Sequence, residues 1–88
     1  MNGFHRKTLR KYFKSSSDFY AFCLIWLDTV NRTEMLGITN QHYRNRAIAD
    51  KWYMKIRKSL TESTTLSDDD RLRASDRLEA IYARMIEK

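Results

Sequence analysis

Hydrophobic residues recur along this chain at spacings of three and four, the period of a helix and not of a strand. Ile48, Trp52, Ile56 and Leu60 fall four apart with Ala49 and Tyr53 beside them, which predicts a helix over 39–60 with one apolar face. Ala74, Leu78, Ile81, Tyr82 and Met85 form the corresponding face of a helix over 67–87. Residues 19–27 differ. They carry no charge and cover every azimuth of a predicted helix over 17–36, so that helix has to be covered on all sides near its start. The other helices of an 88-residue chain offer little surface to surround it, and a second copy of the chain is the simplest cover. Phe19, Phe22, Cys23 and Trp26 are therefore expected at a self-association surface.

Polar residues punctuate these stretches where helices need ends. Ser15, Ser16 and Ser17 offer N-cap hydroxyls before Asp18, Gly37 offers a C-terminal stop, and Thr39 or Asn40 can cap the next helix. Residues 61–66 are rich in hydroxyls and lack an apolar period, as a loop would be. Ser67 precedes Asp68, Asp69 and Asp70, which fit the positive end of a helix better than a calcium loop, since no central glycine follows. Upstream, Leu9, Tyr12 and Phe13 lie at helical spacing among bases, so residues 1–16 read as a basic arm or a short helix. The predicted fold is all-α, a small three- or four-helix bundle in one domain over 1–88, completed by homodimerisation. The absence of proline and the presence of only two glycines agree with it.

Charge changes the picture from architecture to partners. The net charge of +6 is uneven: residues 1–14 hold five bases and no acid, and residues 40–58 hold six bases and one acid. Blocks of this kind attract polyanions through counterion release and steering. Arg6, Lys7, Arg10 and Lys11 lie in the first block, and Arg44, Lys51, Lys55 and Lys58 form a stripe along one edge of the helix over 39–60. The alkyl stems of such bases can cover an apolar face while their charges point outward.

The run Met-Leu-Gly-Ile-Thr-Asn-Gln-His-Tyr-Arg-Asn-Arg at 35–46 has a glycine in a turn, an apolar residue after it and another ring at Tyr43. It resembles the turn and recognition helix of helix-turn-helix proteins. That resemblance implies that Asn40, Gln41 and Asn45 read base edges, while Arg44 and Arg46 grip phosphates. The preceding helix departs from the pattern, because Asn31, Arg32, Thr33 and Glu34 stand where small and apolar residues are usual.

Candidate catalytic chemistry is sparse. Two histidines, His5 and His42, and one cysteine show no metal-ligand spacing, and no glycine-rich turn is present to cradle phosphate. Asp18, Asp28, Asp50 and Asp76 have plainer roles as caps or surface charges. The sequence therefore reads as a non-enzymatic binding protein without metal or cofactor. A single cysteine in a buried setting suits the cytoplasm, and the apolar run is too short to span a membrane. The leading expectation is a regulator of transcriptional or nucleoid type that binds double-stranded DNA through the basic helix face and the amino-terminal bases. The rival is a regulator or inhibitor of antirepressor or mobile-element type that binds an acidic protein. It rests on the surplus of aromatic side chains, among them Tyr12, Phe13, Phe19, Tyr20, Trp26, Trp52, Tyr53 and Tyr82.

Overall fold

The computed structural model describes Phe13 and residues 15–87, and among these every regular element is helical. Five helices follow in order: α1 (Ser16–Trp26), α2 (Thr29–Met35), α3 (Asn40–Arg44), α4 (Arg46–Thr61) and α5 (Asp68–Ile86). Helices α1, α4 and α5 pack against one another in all three pairings, while α2 and α3 close one end.

Two of the three expected long helices are each broken once, and in both cases a short polar side chain makes the break. At the first, Leu27 is extended and the Asp28 carboxylate accepts from the Asn31 backbone N–H at 2.9 Å, so a new helix starts where one was expected to continue. At the second, Asn45 Oδ1 accepts from the backbone N–H groups of Ala47 and Ile48, starting α4. Both satisfy donors that every helix start leaves orphaned. The other ends follow the sequence. Gly37 has φ 71°, and the bonds Gly37 N–H to Glu34 O and Ile38 N–H to Thr33 O form a Schellman stop. The Ser67 hydroxyl accepts from Asp70 N–H, with the three aspartates in the first turn of α5.

The core is continuous and is built mainly from α1, α4 and α5. Phe19, Cys23, Leu24, Met35, Ile56, Leu60 and Leu78 are its largest enclosed side chains. The chain itself covers most of the apolar run in α1. Phe19, Tyr20, Ala21, Cys23 and Leu24 are buried, Phe22 and Ile25 are half-buried, and Trp26 is 65% exposed. Helices α5 and α4 supply most of that cover, and α2 adds a smaller contact after the break at Trp26.

Polar contacts fix the loop over 61–67. The Arg71 guanidinium donates to the carbonyls of Leu60 (2.6 Å), Ser63 (3.2 Å) and, more weakly, Thr61 and Leu66, so it ties the end of α4 to the loop that follows it. Thr65 donates to the Asp18 carboxylate at 2.7 Å and Ser17 to Ser63 at 2.8 Å, which ties the same loop to the start of α1. No helix among the described residues is long and apolar enough to cross a membrane.

Candidate nucleic-acid interface

Helix α4 carries the chain's main described cationic surface. Its apolar face, Ala49, Trp52, Ile56 and Leu60, is buried as the four-residue spacing requires. Lys51, Lys55, Arg57 and Lys58 consequently fall outside, and all four are exposed. Lys51 and Lys55 line a groove of about 260 Å³ whose floor includes Tyr20, Leu36 and Trp52. Lys55 also borders a second hollow of about 470 Å³ with Met54, Arg57, Lys58 and, at its end, Glu62. Because Lys55 belongs to both, a basic tract runs unbroken along α4. Lys51 to Lys58 spans about 10 Å at the helical rise of about 1.5 Å per residue, roughly three base-pair steps of a duplex.

Ion pairing leaves this tract uncompensated. Among the described residues the ion pairs are Arg46 with Asp50 (3.0 Å) and Arg73 with Asp69 (3.1 Å). Lys51, Lys55, Arg57 and Lys58 have no carboxylate of the described residues within 4.0 Å. Arg46, expected among the phosphate contacts, is instead engaged by Asp50. Asp50 also accepts from the Tyr82 hydroxyl, and this bond, with that of Arg46, holds its carboxyl below the ordinary range.

The expected recognition helix takes a different form. It is a helix of five residues, α3, because Asn45 ends it and starts α4. Asn45 spends its side-chain oxygen on that cap, whereas Asn40, Gln41 and Arg44 are exposed. Tyr43, expected at an apolar position, is 50% exposed, and His42 is the buried member. His42 Nδ1 accepts from Thr39 N–H at 2.9 Å in a capping box, and its ring meets Trp52 edge-on. Trp52 in turn donates its indole N–H to the Leu36 carbonyl at 3.0 Å, a buried bond that joins the Gly37 turn to α4.

The remaining expected site residues divide into two groups. Arg6, Lys7, Arg10 and Lys11 lie outside the described residues. Of the four expected self-association side chains, Phe19 and Cys23 are enclosed by the chain itself, Phe22 packs against Phe13, and Trp26 stands at the surface. Trp26 borders a hollow of about 480 Å³ between α1 and α5 with Arg73, Asp76 and Arg77. Among the described residues no three of His, Cys, Asp and Glu converge as metal ligands would. The seam between α4 and α5 holds a contact not read from the sequence: Tyr53 and Tyr82 stack at 4.1 Å, and each donates to a carboxylate of the facing helix, Glu79 and Asp50 respectively. The two tyrosines occupy apolar-face positions, so their pairing could have been anticipated from the register of the two stripes.

No known protein family matches the chain, and no curated protein or solved structure is significantly similar to it.

Proposed function

We propose that this protein is a small DNA-binding regulator, without catalytic chemistry, that grips the phosphate backbone of a duplex with Lys51, Lys55 and Lys58. The observation that carries this reading is the basic tract along one face of α4, bordered by shallow hollows, in which no lysine is ion-paired to a described carboxylate and Glu62 is the one described acid lining either hollow. Contacts of this kind position a protein on a duplex and give affinity that falls steeply with salt. Base reading rests on Asn40, Gln41 and Arg44 of α3, and the amino-terminal bases add affinity.

The test is binding of a labelled duplex over a salt series. Wild-type protein is expected to bind tightly at low salt and to weaken linearly on logarithmic axes. Replacing Lys51, Lys55 and Lys58 together by Ala should make that slope shallower by about 0.9 for each lost phosphate contact, while the helical circular dichroism is unchanged. Absence of a complex at low salt sinks the proposal.

Trp26 supports a second reading, contact with another protein chain. A tryptophan exposed beside two arginines is the composition that protein interfaces enrich. A second copy of this chain is the occupant we favour, because Arg73, Arg77 and Asp76 in one hollow give charges of both signs that a two-fold axis can pair. Such a homodimer would present two α4 tracts to one duplex. A foreign acidic protein, as for a regulator of inhibitor type, is the competing occupant.

A further inference from the structure

We propose that the cavity enclosed by α2, α3 and α5 binds a small phosphate monoester, with the phosphate held by Arg32 and Arg84 and the organic part lying on Ile38, Ile81 and the Tyr43 ring. The cavity measures about 240 Å³, more than a bare phosphate fills, and among the described residues no carboxylate lines it. Two arginines therefore line one space without an acidic counterpart in its described wall. Ile38 and Ile81 are buried and supply an apolar floor, and Thr29 and Tyr43 bring hydroxyls to the wall.

The surroundings of Arg32 make the site electrostatically incomplete. One of its terminal nitrogens donates to the Leu27 carbonyl at 3.3 Å, which orients the planar group and leaves further N–H donors unused. Burial lowers its proton affinity, and the nearby Arg77 cation lowers it further, with Asp28 opposing. The Asp28 carboxylate accepts from both the backbone and the side chain of Asn31 and forms no ion pair with Arg32, so its charge offsets that of Arg32 only from a distance. Three cations, Arg32, Arg77 and Arg84, against the one carboxylate of Asp28 leave a net positive field that suits a dianion, and the guanidinium fork matches phosphate oxygens in pairs.

This site is separate from the α4 tract. Leu36, Gly37 and His42 border the groove beside Lys51, whereas Ile38 and Tyr43 border this cavity, so the turn and α3 form a wall between them. Failure of the DNA reading would therefore leave this inference standing, and the reverse also holds.

Phenyl phosphate, inorganic phosphate and phenol are suitable probes, followed through the arginine Nε–Hε resonances of the labelled full chain at constant ionic strength. Phenyl phosphate is expected to shift Arg32 and Arg84 saturably and to bind more tightly than inorganic phosphate, and phenol is expected to leave both unmoved. Arg84→Gln, which removes no hydrogen bond seen in the fold, should weaken phenyl phosphate binding at least about tenfold, as expected for a lost charge-assisted bond. Arg32→Gln should do the same, with the urea midpoint reporting any loss from the Leu27 contact. Duplex binding should be unchanged in both variants. Shifts no larger than those given by sodium chloride would overturn the proposal, as would undiminished binding in Arg84→Gln. Loss of duplex binding in the Arg84→Gln protein without phosphate-ester binding in the wild type would also overturn it, assigning the cavity to the nucleic-acid surface.

Discussion

Asn45 illustrates how a single side chain can be claimed by structure before function reaches it. Its oxygen lies 3.0 Å from Ala47 N–H and 3.4 Å from Ile48 N–H, the donors that α4 would otherwise leave unpaired. An asparagine so occupied is a poor reader of base edges. Replacing it by Ala should cost about 1 kcal/mol of stability, the usual worth of such a cap, measured as a lowered urea midpoint with unchanged m-value. Duplex affinity measured well below the midpoint should stay within error of wild type. A fall in affinity without a fall in stability would return Asn45 to the recognition surface. Asp28 makes the same kind of cap at α2, and its charge offsets only in part the burial and the Arg77 cation that lower the proton affinity of Arg32.

At the scale of elements, the sequence was most legible where several signals agreed. Helix α5 has an apolar stripe, a capping serine and an acidic first turn that all agree, and its observed span differs from the expected 67–87 by one residue at each end. The breaks at Asp28 and Asn45 were hidden because apolar spacing continued across them, and periodicity outweighs a lone cap residue when both are read from one chain. The cavity at Arg32 and Arg84 could not be read at all, since its two arginines come from helices far apart in sequence. The α4–α5 seam carries a consequence for pH. Asp50 is held below the ordinary aspartate range first by the Tyr82 hydroxyl and then by Arg46. A carboxyl depressed in the folded state stabilises fully above its unfolded value of about 3.9 and loses that contribution as pH falls through the folded value. Tyr82 and Tyr53 are shifted upward, chiefly by their bonds to Asp50 and Glu79. Their contribution is complete below about pH 10 and disappears as pH rises through the folded values. Urea unfolding should thus show a plateau between the two limbs, and Asp50→Asn should flatten the acid limb while the Tyr53–Glu79 part of the alkaline limb remains. An acid limb identical in the variant would remove the seam as its cause.

The molecule as a whole is a slab, with extents of 35 × 34 × 18 Å among its Cα atoms, thin enough that α1, α4 and α5 enclose one core and little more. Two opposing demands meet in that shape. A chain of net charge +6 resists self-association through repulsion, yet the slab leaves Trp26 at 65% exposure in a hollow it does not fill. The lysine tract and the tryptophan lie on different elements: Lys51, Lys55 and Lys58 are on α4, and the hollow beside Trp26 is formed by α1 and α5 and contains Asp76 between Arg73 and Arg77. Pairing of two copies there would keep the α4 tracts off the contact. It follows that sedimentation at micromolar concentration should show dimer in moderate salt, and that Trp26→Ala should weaken it by about 2 kcal/mol, roughly thirtyfold in Kd, as loss of an interface tryptophan does. Phe19 and Cys23, being interior, should affect dimerisation only through the stability of the fold. A wild-type monomer persisting at a hundred micromolar would exclude the pairing, and the exposed tryptophan would then mark contact with a different protein. Because duplex DNA would bind two tracts at once, the dimer and its salt dependence are linked: Trp26→Ala should also make the salt slope of duplex binding shallower, although it removes no charge.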